Sequence, residues 1–186
     1  MTSGNHPSDE SLALTLRVGD EAARARAAWS LGLTEEPSAT QALVHALGDP
    51  SPRVREQAVW ALTVRRSREA LDAVVHRLDD PHPSVRARAA WAVGLLGDAR
   101  TLEPLVRRLE NDHREVRVQA AWALGQIGHP AAAAALTRAC ADPDPEVRDS
   151  ARWALASLDP DPGIPPPPES AAEVIADALR VLRRSR

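Results

Sequence analysis

Five tryptophans, spaced 31 residues apart, are the side chains in this sequence best suited to binding. They are Trp29, Trp60, Trp91, Trp122 and Trp153. Indoles anchor protein partners and stack on planar ligands, and the chain has no Phe or Tyr to share that role. At roughly 100° per residue along a helix, the tryptophan column lies outside the predicted core arc. Two interpretations stay open: each indole packs across the Ala and Gly positions of the neighbouring repeat, or the column stays partly open and a partner covers it.

Arginine supplies all 23 basic side chains, and one set of arginines follows the same spacing. Its members are Arg24, Arg55, Arg86, Arg117 and Arg148. Loop aspartates at 49, 80 and 142 fall beside this column, which favours Arg–Asp contacts between repeats over a phosphate site. A less regular set lies on the tryptophan-bearing helices and comprises Arg26, Arg53, Arg88 and Arg152. We expect this second set to flank a groove and, with the tryptophans, to contact a protein or peptide partner.

The remaining reactive side chains do not make a catalytic or metal site. His45 and His76 share one register and His82 and His113 another, about 10 Å apart at the spacing of packed helices. That separation is too wide for one zinc ion with ligands at about 2.1 Å. Cys140 occupies a leucine column and is expected to be a small buried side chain. The sequence therefore predicts a protein that is not an enzyme and has no cofactor.

The elements that carry these residues follow from the repeat. A fixed period of 31 residues indicates a stacked array, and five units run without insertion from residue 8 to residue 158. Apolar residues at helical spacing predict two helices in each unit. The first helices are predicted at 40–47, 68–78, 102–109 and 131–140. The second helices, which carry the tryptophans, are predicted at 53–65, 84–96, 115–127 and 146–157.

Proline-rich loops separate the two helices of a unit, because proline stops a helix and disfavours helix in the residue before it. Asp or Ser near the start of each second helix is expected to cap it, and Gly97 and Gly128 to end two of them. Residues 159–168 read as a stiff proline-rich linker, and 169–186 as an amphipathic C-terminal helix. That helix is expected either to cap the last unit or to reach a partner, including a second copy in a homodimer.

The phrases RARAAWAVG and RVQAAWALG, within Asp80–Gly97 and Asn111–Gly128, resemble the HEAT-like repeat of the phycobilisome lyase type. The resemblance implies a right-handed α-solenoid whose second helices line a concave face. Members of this group include bilin lyase subunits, accessory domains and plain scaffolds. Another HEAT-like group, the deoxyhypusine hydroxylases, binds iron with paired His-Glu dipeptides, and this chain has no His-Glu dipeptide, so that role is not predicted.

Composition excludes several other classes. A net charge of −3 argues against nucleic acid as the partner, since that affinity comes from neutralising phosphates. The sequence has no apolar run of about 18 residues, and its N-terminus lacks a signal-peptide pattern, so neither a membrane nor secretion is predicted. The single cysteine fits a reducing cytoplasm.

These observations lead to one prediction and one alternative. The chain is predicted to be an all-α solenoid of five helix pairs plus a C-terminal helix, a non-enzymatic scaffold that binds a protein or peptide on its concave second-helix face. The alternative is an accessory, lyase-like subunit that holds a tetrapyrrole or another small aromatic ligand against the tryptophans.

Overall fold

The structure, a computed structural model, describes residues 9–158, and every regular element in that range is helical. The first four helices are α1 (Asp9–Val18), α2 (Glu21–Gly32), α3 (Pro37–Ala46) and α4 (Pro52–Val64). The next six are α5 (Leu71–Val75), α6 (Pro83–Leu96), α7 (Leu102–Asn111), α8 (Arg114–Ile127), α9 (Ala133–Ala139) and α10 (Pro145–Leu158). They form five consecutive pairs, here called units one to five, so the predicted all-α array is confirmed.

The second helix of three units begins at a proline. Pro52, Pro83 and Pro145 each open a helix one residue earlier than the sequence predicted. Proline suits this position because its missing N–H would have no partner there. Gly97 and Gly128 end α6 and α8 with φ of 67°, the left-handed conformation expected of them.

Capping of the second helices varies between units. The Asp20 side chain accepts a hydrogen bond from the Ala23 N–H at the start of α2, and Asp144 accepts from Glu146 and Val147 at the start of α10. Ser51 precedes α4 but makes no capping bond through its hydroxyl. The expected Asp caps are therefore confirmed at α2 and α10 only: Ser51 is not a side-chain cap, His82 caps α6, and α8 has no side-chain cap.

The first helices of units three to five are only partly α-helical, because 3-10 turns replace some of their residues. Each opens with a 3-10 turn: Arg68–Ala70, Ala99–Thr101 and Pro130–Ala132. Unit three has a second such turn at His76–Asp79, so its predicted helix at 68–78 contains only five α-helical residues. Asp98 and His129 accept backbone N–H groups at the start of two of these turns, which stabilises the tighter geometry.

Two layers of helices enclose one continuous core. The even-numbered helices pack side by side, and the odd-numbered helices cover one side of that row. Fully buried leucines and valines meet between the layers, from Leu31, Leu62, Val93 and Leu124 on one side to Leu43, Val74, Leu105 and Leu136 on the other. Alanines lie where neighbouring even-numbered helices touch, and their small side chains let the helix backbones approach closely.

Within the described range, no helix is both long enough and apolar enough to cross a membrane. The predicted proline linker and C-terminal helix, at 159–168 and 169–186, lie outside the described residues.

Candidate functional site

Most of the tryptophan column is packed against the array itself. The indole of Trp60 lies over Gly32 of the preceding unit: a Cβ built on that glycine would be 3.3 Å from the Cζ3 atom of the ring. Trp122 lies over Gly94 in the same way, with the corresponding distance 3.0 Å. Trp153 and Gly125 repeat the arrangement at 2.9 Å. The interpretation in which each indole covers the neighbouring unit therefore describes these three contacts.

The expectation that the column lies outside the core is wrong for two of its members. Trp60 is 8% exposed and Trp91 is 6% exposed, and both belong to the hydrophobic core. An angle around a single helix locates each tryptophan only relative to the first helix of its own unit. The even-numbered helix of the preceding unit also packs against the indole and buries it. Trp122 and Trp153 are partly exposed.

Trp29 is the exception, with 47% of its surface exposed. It is the first tryptophan of the array, and the described chain has no earlier even-numbered helix for it to pack against. One face of its indole stacks on Trp60, with the ring centroids 6.1 Å apart and the planes at 10°. The other side of Trp29 is available to a partner.

The four arginines expected to flank the tryptophans do not form one group. Arg88 lies over the Trp91 ring, with its guanidinium carbon 5.3 Å from the centroid, and its Nη2 is 3.3 Å from a carboxylate oxygen of Glu56. Arg26 holds the same position relative to its own tryptophan and is exposed. Arg152 lies two residues further along its helix and pairs with Asp149 instead. It therefore faces the end of the array.

The exposed side of the even-numbered helices changes character along the array. Residues seven and three before each tryptophan, and four after it, share its helix face. We call this surface the Trp face. In units one to three it carries the basic side chains Arg26, Arg53 and Arg88 and the partly exposed apolar side chains Leu33, Val64 and Leu95. In units four and five it carries Glu115, Glu146, Gln126 and Ser157 instead. The sequence predicted the face but not this division.

The repeated arginine column forms clamps between units. Arg24 binds Asp49 through Nε and Nη2, at 2.7 and 2.9 Å, and its Nη1 donates to the Gly19 carbonyl at 2.9 Å. The same bidentate contact, from arginine Nε and Nη2 to the two carboxylate oxygens, joins three further pairs at 2.5–2.9 Å: Arg55 with Asp80, Arg86 with Asp112, and Arg117 with Asp142. The predicted structural role of this column is confirmed. Asp112 was missed because it lies 26 residues from its arginine, whereas the other three acids lie 25 away.

The electrostatics of the clamps follow from their geometry. Burial by itself would raise the pKa of the four aspartates, but the arginine fork and a backbone N–H donor together outweigh it and lower the pKa of each carboxyl. The hydrogen bonds that Arg24, Arg86 and Arg117 donate to their paired carboxylates raise the pKa of these arginines. The clamp arginines and aspartates are therefore charged near neutral pH, and the arginine N–H groups are bound within the array itself.

The other candidate side chains have structural surroundings. His82 shares a hydrogen bond with the Ser84 hydroxyl at 2.9 Å, next to the start of α6. Among residues 9–158 no three His, Cys, Asp or Glu side chains gather as a metal site. Cys140 is partly exposed, although buried leucines fill its column in the earlier units, because no described helix follows unit five to cover it. A shallow depression of about 430 Å³ beside the Arg86–Asp112 clamp lies apart from the tryptophans.

Comparison with known proteins places these features in a family. The family model described as HEAT repeats matches residues 10–82 and 71–156. Among curated proteins, none matches the sequence.

Solved structures share the architecture. The complex of CpcE and CpcF of phycocyanin lyase from a Nostoc species is 24% identical, with a TM-score of 0.76 over 100% of this chain and 77% of that one. A designed armadillo repeat protein in complex with the peptide (KR)4 is 24% identical, with a TM-score of 0.62 over 80% and 81% of the two chains. An engineered protein is 23% identical, with a TM-score of 0.63 over 94% and 88%. At these identities the likeness shows the fold alone.

Proposed function

Since the chain belongs to the HEAT-repeat family, we propose that it is a non-enzymatic scaffold whose Trp face binds a protein or peptide over units one to three. The observation that carries the proposal is Trp29, a large aromatic side chain left 47% exposed on a face where the next two tryptophans are buried. Large aromatic anchors beside partly exposed apolar side chains are typical of protein-binding surfaces.

The charges on the same face indicate the chemistry of the partner. Arg26 and Arg53 are exposed and belong to none of the described ion pairs, whereas Arg88 is already shared between Glu56 and Trp91. A segment with acidic residues flanking an apolar or aromatic side chain would complement both properties. The solved designed armadillo repeat protein is bound to a basic peptide. We expect the opposite preference here, because this surface is itself basic.

Units four and five are less suited to the same segment. Their Trp face carries Glu115 and Glu146, and Arg114 already binds Glu146 at 2.5 Å. An acidic peptide would meet repulsion there, so we place its binding on the N-terminal three units.

The alternative, a tetrapyrrole or another small aromatic ligand, would have to use Trp29. Trp60, Trp122 and Trp153 already lie over the Gly positions of their neighbours, so no slot for a planar molecule opens between units at those rings. Titration with bilin or haem, followed by ligand absorbance and tryptophan quenching, tests this alternative. Saturable binding that is lost in Trp29→Ala would favour it over the peptide proposal.

The peptide proposal is tested with a labelled probe that alternates Glu and Leu, and with its Lys–Leu counterpart. Fluorescence anisotropy should show saturable binding of the acidic probe that weakens as salt is raised. Trp29→Ala should weaken that binding about tenfold, a loss of about 1.4 kcal/mol, because it removes the exposed anchor. The melting temperature should fall by only a few degrees, because the lost stack on Trp60 contributes about 0.5–1.5 kcal/mol.

Trp153→Ala serves as the matched control, because it removes the same side chain from the opposite end of the array. Its affinity for the probe should equal that of the unmodified chain. Equal loss of affinity in both variants, or a preference for the Lys–Leu probe, would contradict the proposal.

A further inference from the structure

The last arginine of the clamp column repeats only half of the pattern. Arg148 donates from Nη1 to the carbonyls of Asp142 and Pro143, at 2.8 and 2.9 Å. Arg55 and Arg86 bind the two corresponding carbonyls of their own loops in the same way. In Arg55 and Arg86 these bonds accompany an Nε and Nη2 edge that binds the aspartate of the next unit. In the four earlier clamps that edge holds an aspartate, but residues 9–158 provide none for Arg148.

The sequence supplies an acid at the missing position. Three of the four clamps join an arginine to an aspartate 25 residues later. Counting 25 residues from Arg148 leads to Glu173, in the segment predicted as the amphipathic C-terminal helix. The linker does not prevent the contact. Fifteen residues from Leu158 to Glu173 can extend to about 50 Å, and Arg148 lies only about 15 Å back along α10.

The exposed end of unit five differs from a face that stacks on another repeat. At the register of Arg152, units one to four bury Ala28, Val59, Ala90 and Ala121 completely. Leu155 and Leu158 are partly exposed beside it, and the Asp149–Arg152 pair is exposed. A helix with an apolar stripe and acidic residues near its start would cover the two leucines and pair with Arg148 and Arg152. The segment 169–184 has that composition: the stripe comprises Val174, Ile175, Ala178, Val181 and Leu182, and the acids that would meet the arginines are Glu173 and Asp177.

We propose that residues 169–184 of the same chain dock on the exposed end of unit five, with the Glu173 carboxylate bound in the fork of Arg148. This contact would be the fifth clamp of the array. It would close the core without a sixth helix pair, because a terminal unit needs a polar outer cover to remain soluble. The inference is independent of what the Trp face binds.

A double-mutant cycle in the full chain tests the contact. Glu173→Gln alone should lower the melting temperature by about 2–4 °C, since it removes a charge-assisted bond from a chain of this length. In the Arg148→Gln background, Glu173→Gln should cause no further change, because its partner is already gone. Arg148→Gln and the double variant both lose the bonds from Arg148 to the loop carbonyls, so the cost of those bonds cancels in the cycle. Glu169→Gln is the control: it makes the same change of charge, and its effect should be the same in both backgrounds.

Amide hydrogen exchange supplies a second reading if Arg148→Gln fails to fold. Amides of residues 174–182 should be protected in the unmodified chain, less protected in Glu173→Gln and unchanged in Glu169→Gln. The proposal is overturned if the segment is unprotected in the unmodified chain, or if Glu173→Gln costs the same with and without Arg148. It is also overturned if size-exclusion chromatography with light scattering shows that the segment binds only in a dimer, since a second copy would then be the occupant.

Discussion

At the scale of single residues, the five tryptophans show that position in the stack decides the role of a side chain. Their local sequences are nearly the same, yet Trp91 is buried and Trp29 is 47% exposed. The sequence identified the column, and packing across the Ala and Gly positions of the neighbouring repeat was one of its two interpretations. It could not give the burial of each ring, because that depends on the distance between helices of adjacent units, which a single-helix register does not contain.

The glycines beneath the tryptophans should be intolerant of substitution. A Cβ on Gly94 would lie 2.7 Å from the Cα and 2.8 Å from the Cβ of Ala123, so the helix backbones would have to separate. We expect Gly94→Ala to lower the free energy of unfolding by about 1–3 kcal/mol, as overpacking does in cores. Urea denaturation measures this change.

Gly48→Ala is the control for the loss of a glycine. A Cβ there would contact only the His45 carbonyl at 3.5 Å, and the residue is exposed. Its stability should therefore remain within about 0.5 kcal/mol of the unmodified chain. If the two variants unfold alike, close helix approach is not the reason for glycine at 94.

At the scale of elements, the clamps tie the loop of one unit to the second helix of the unit before it. The sequence predicted this because Arg and Asp recur in register with the helices. It did not predict the 3-10 turns of the first helices. The spacing of apolar residues indicates a helix but does not distinguish α-helical from 3-10 hydrogen bonding within it. Nor did it separate Arg152 from Arg26 and Arg88, because all three were assigned to a face from composition and not from register.

Removing one partner of the most buried clamp should be costly. The Asp80 side chain is fully buried against Arg55, whose side chain is 10% exposed. Asp80→Asn should lower the free energy of unfolding by about 3 kcal/mol, because it leaves a buried guanidinium without its counter-charge. Chemical denaturation tests this value against Glu103→Gln, which breaks the exposed Glu103–Arg107 pair and should cost no more than about 0.5 kcal/mol. Equal costs would show that the clamps are ordinary surface pairs.

At the scale of the whole molecule, four clamps distributed along the array predict a common response to acid. The folded pKa of Asp49, Asp80, Asp112 and Asp142 lies below the ordinary value of 3.8. The unfolded chain therefore takes up these protons first as the pH falls. The clamp contribution to stability is fully present well above pH 3.8 and is lost as the pH falls through the folded pKa values.

Unfolding free energies measured in urea at pH 7, 5, 4 and 3 should be nearly level at first and then decline below about pH 4. The unfolding free energy of Asp80→Asn should decline less steeply over the same pH range. Asparagine takes up no proton, so only three of the four clamp carboxylates still contribute to the decline. A stability that rises on acidification, or the same slope in the variant, would contradict the role assigned to the clamps.

The stack of Trp29 on Trp60 also gives the protein distinctive optical properties. Two indoles with centroids 6.1 Å apart are close enough for their electronic transitions to couple, and such coupling contributes to the circular dichroism when the two transition dipoles are not parallel. Because the chain has no Phe or Tyr, its near-ultraviolet spectrum comes from tryptophan alone. A molecule that displaces Trp29 from Trp60 would therefore change the tryptophan circular dichroism, and its binding could be followed by spectroscopy of the unlabelled protein.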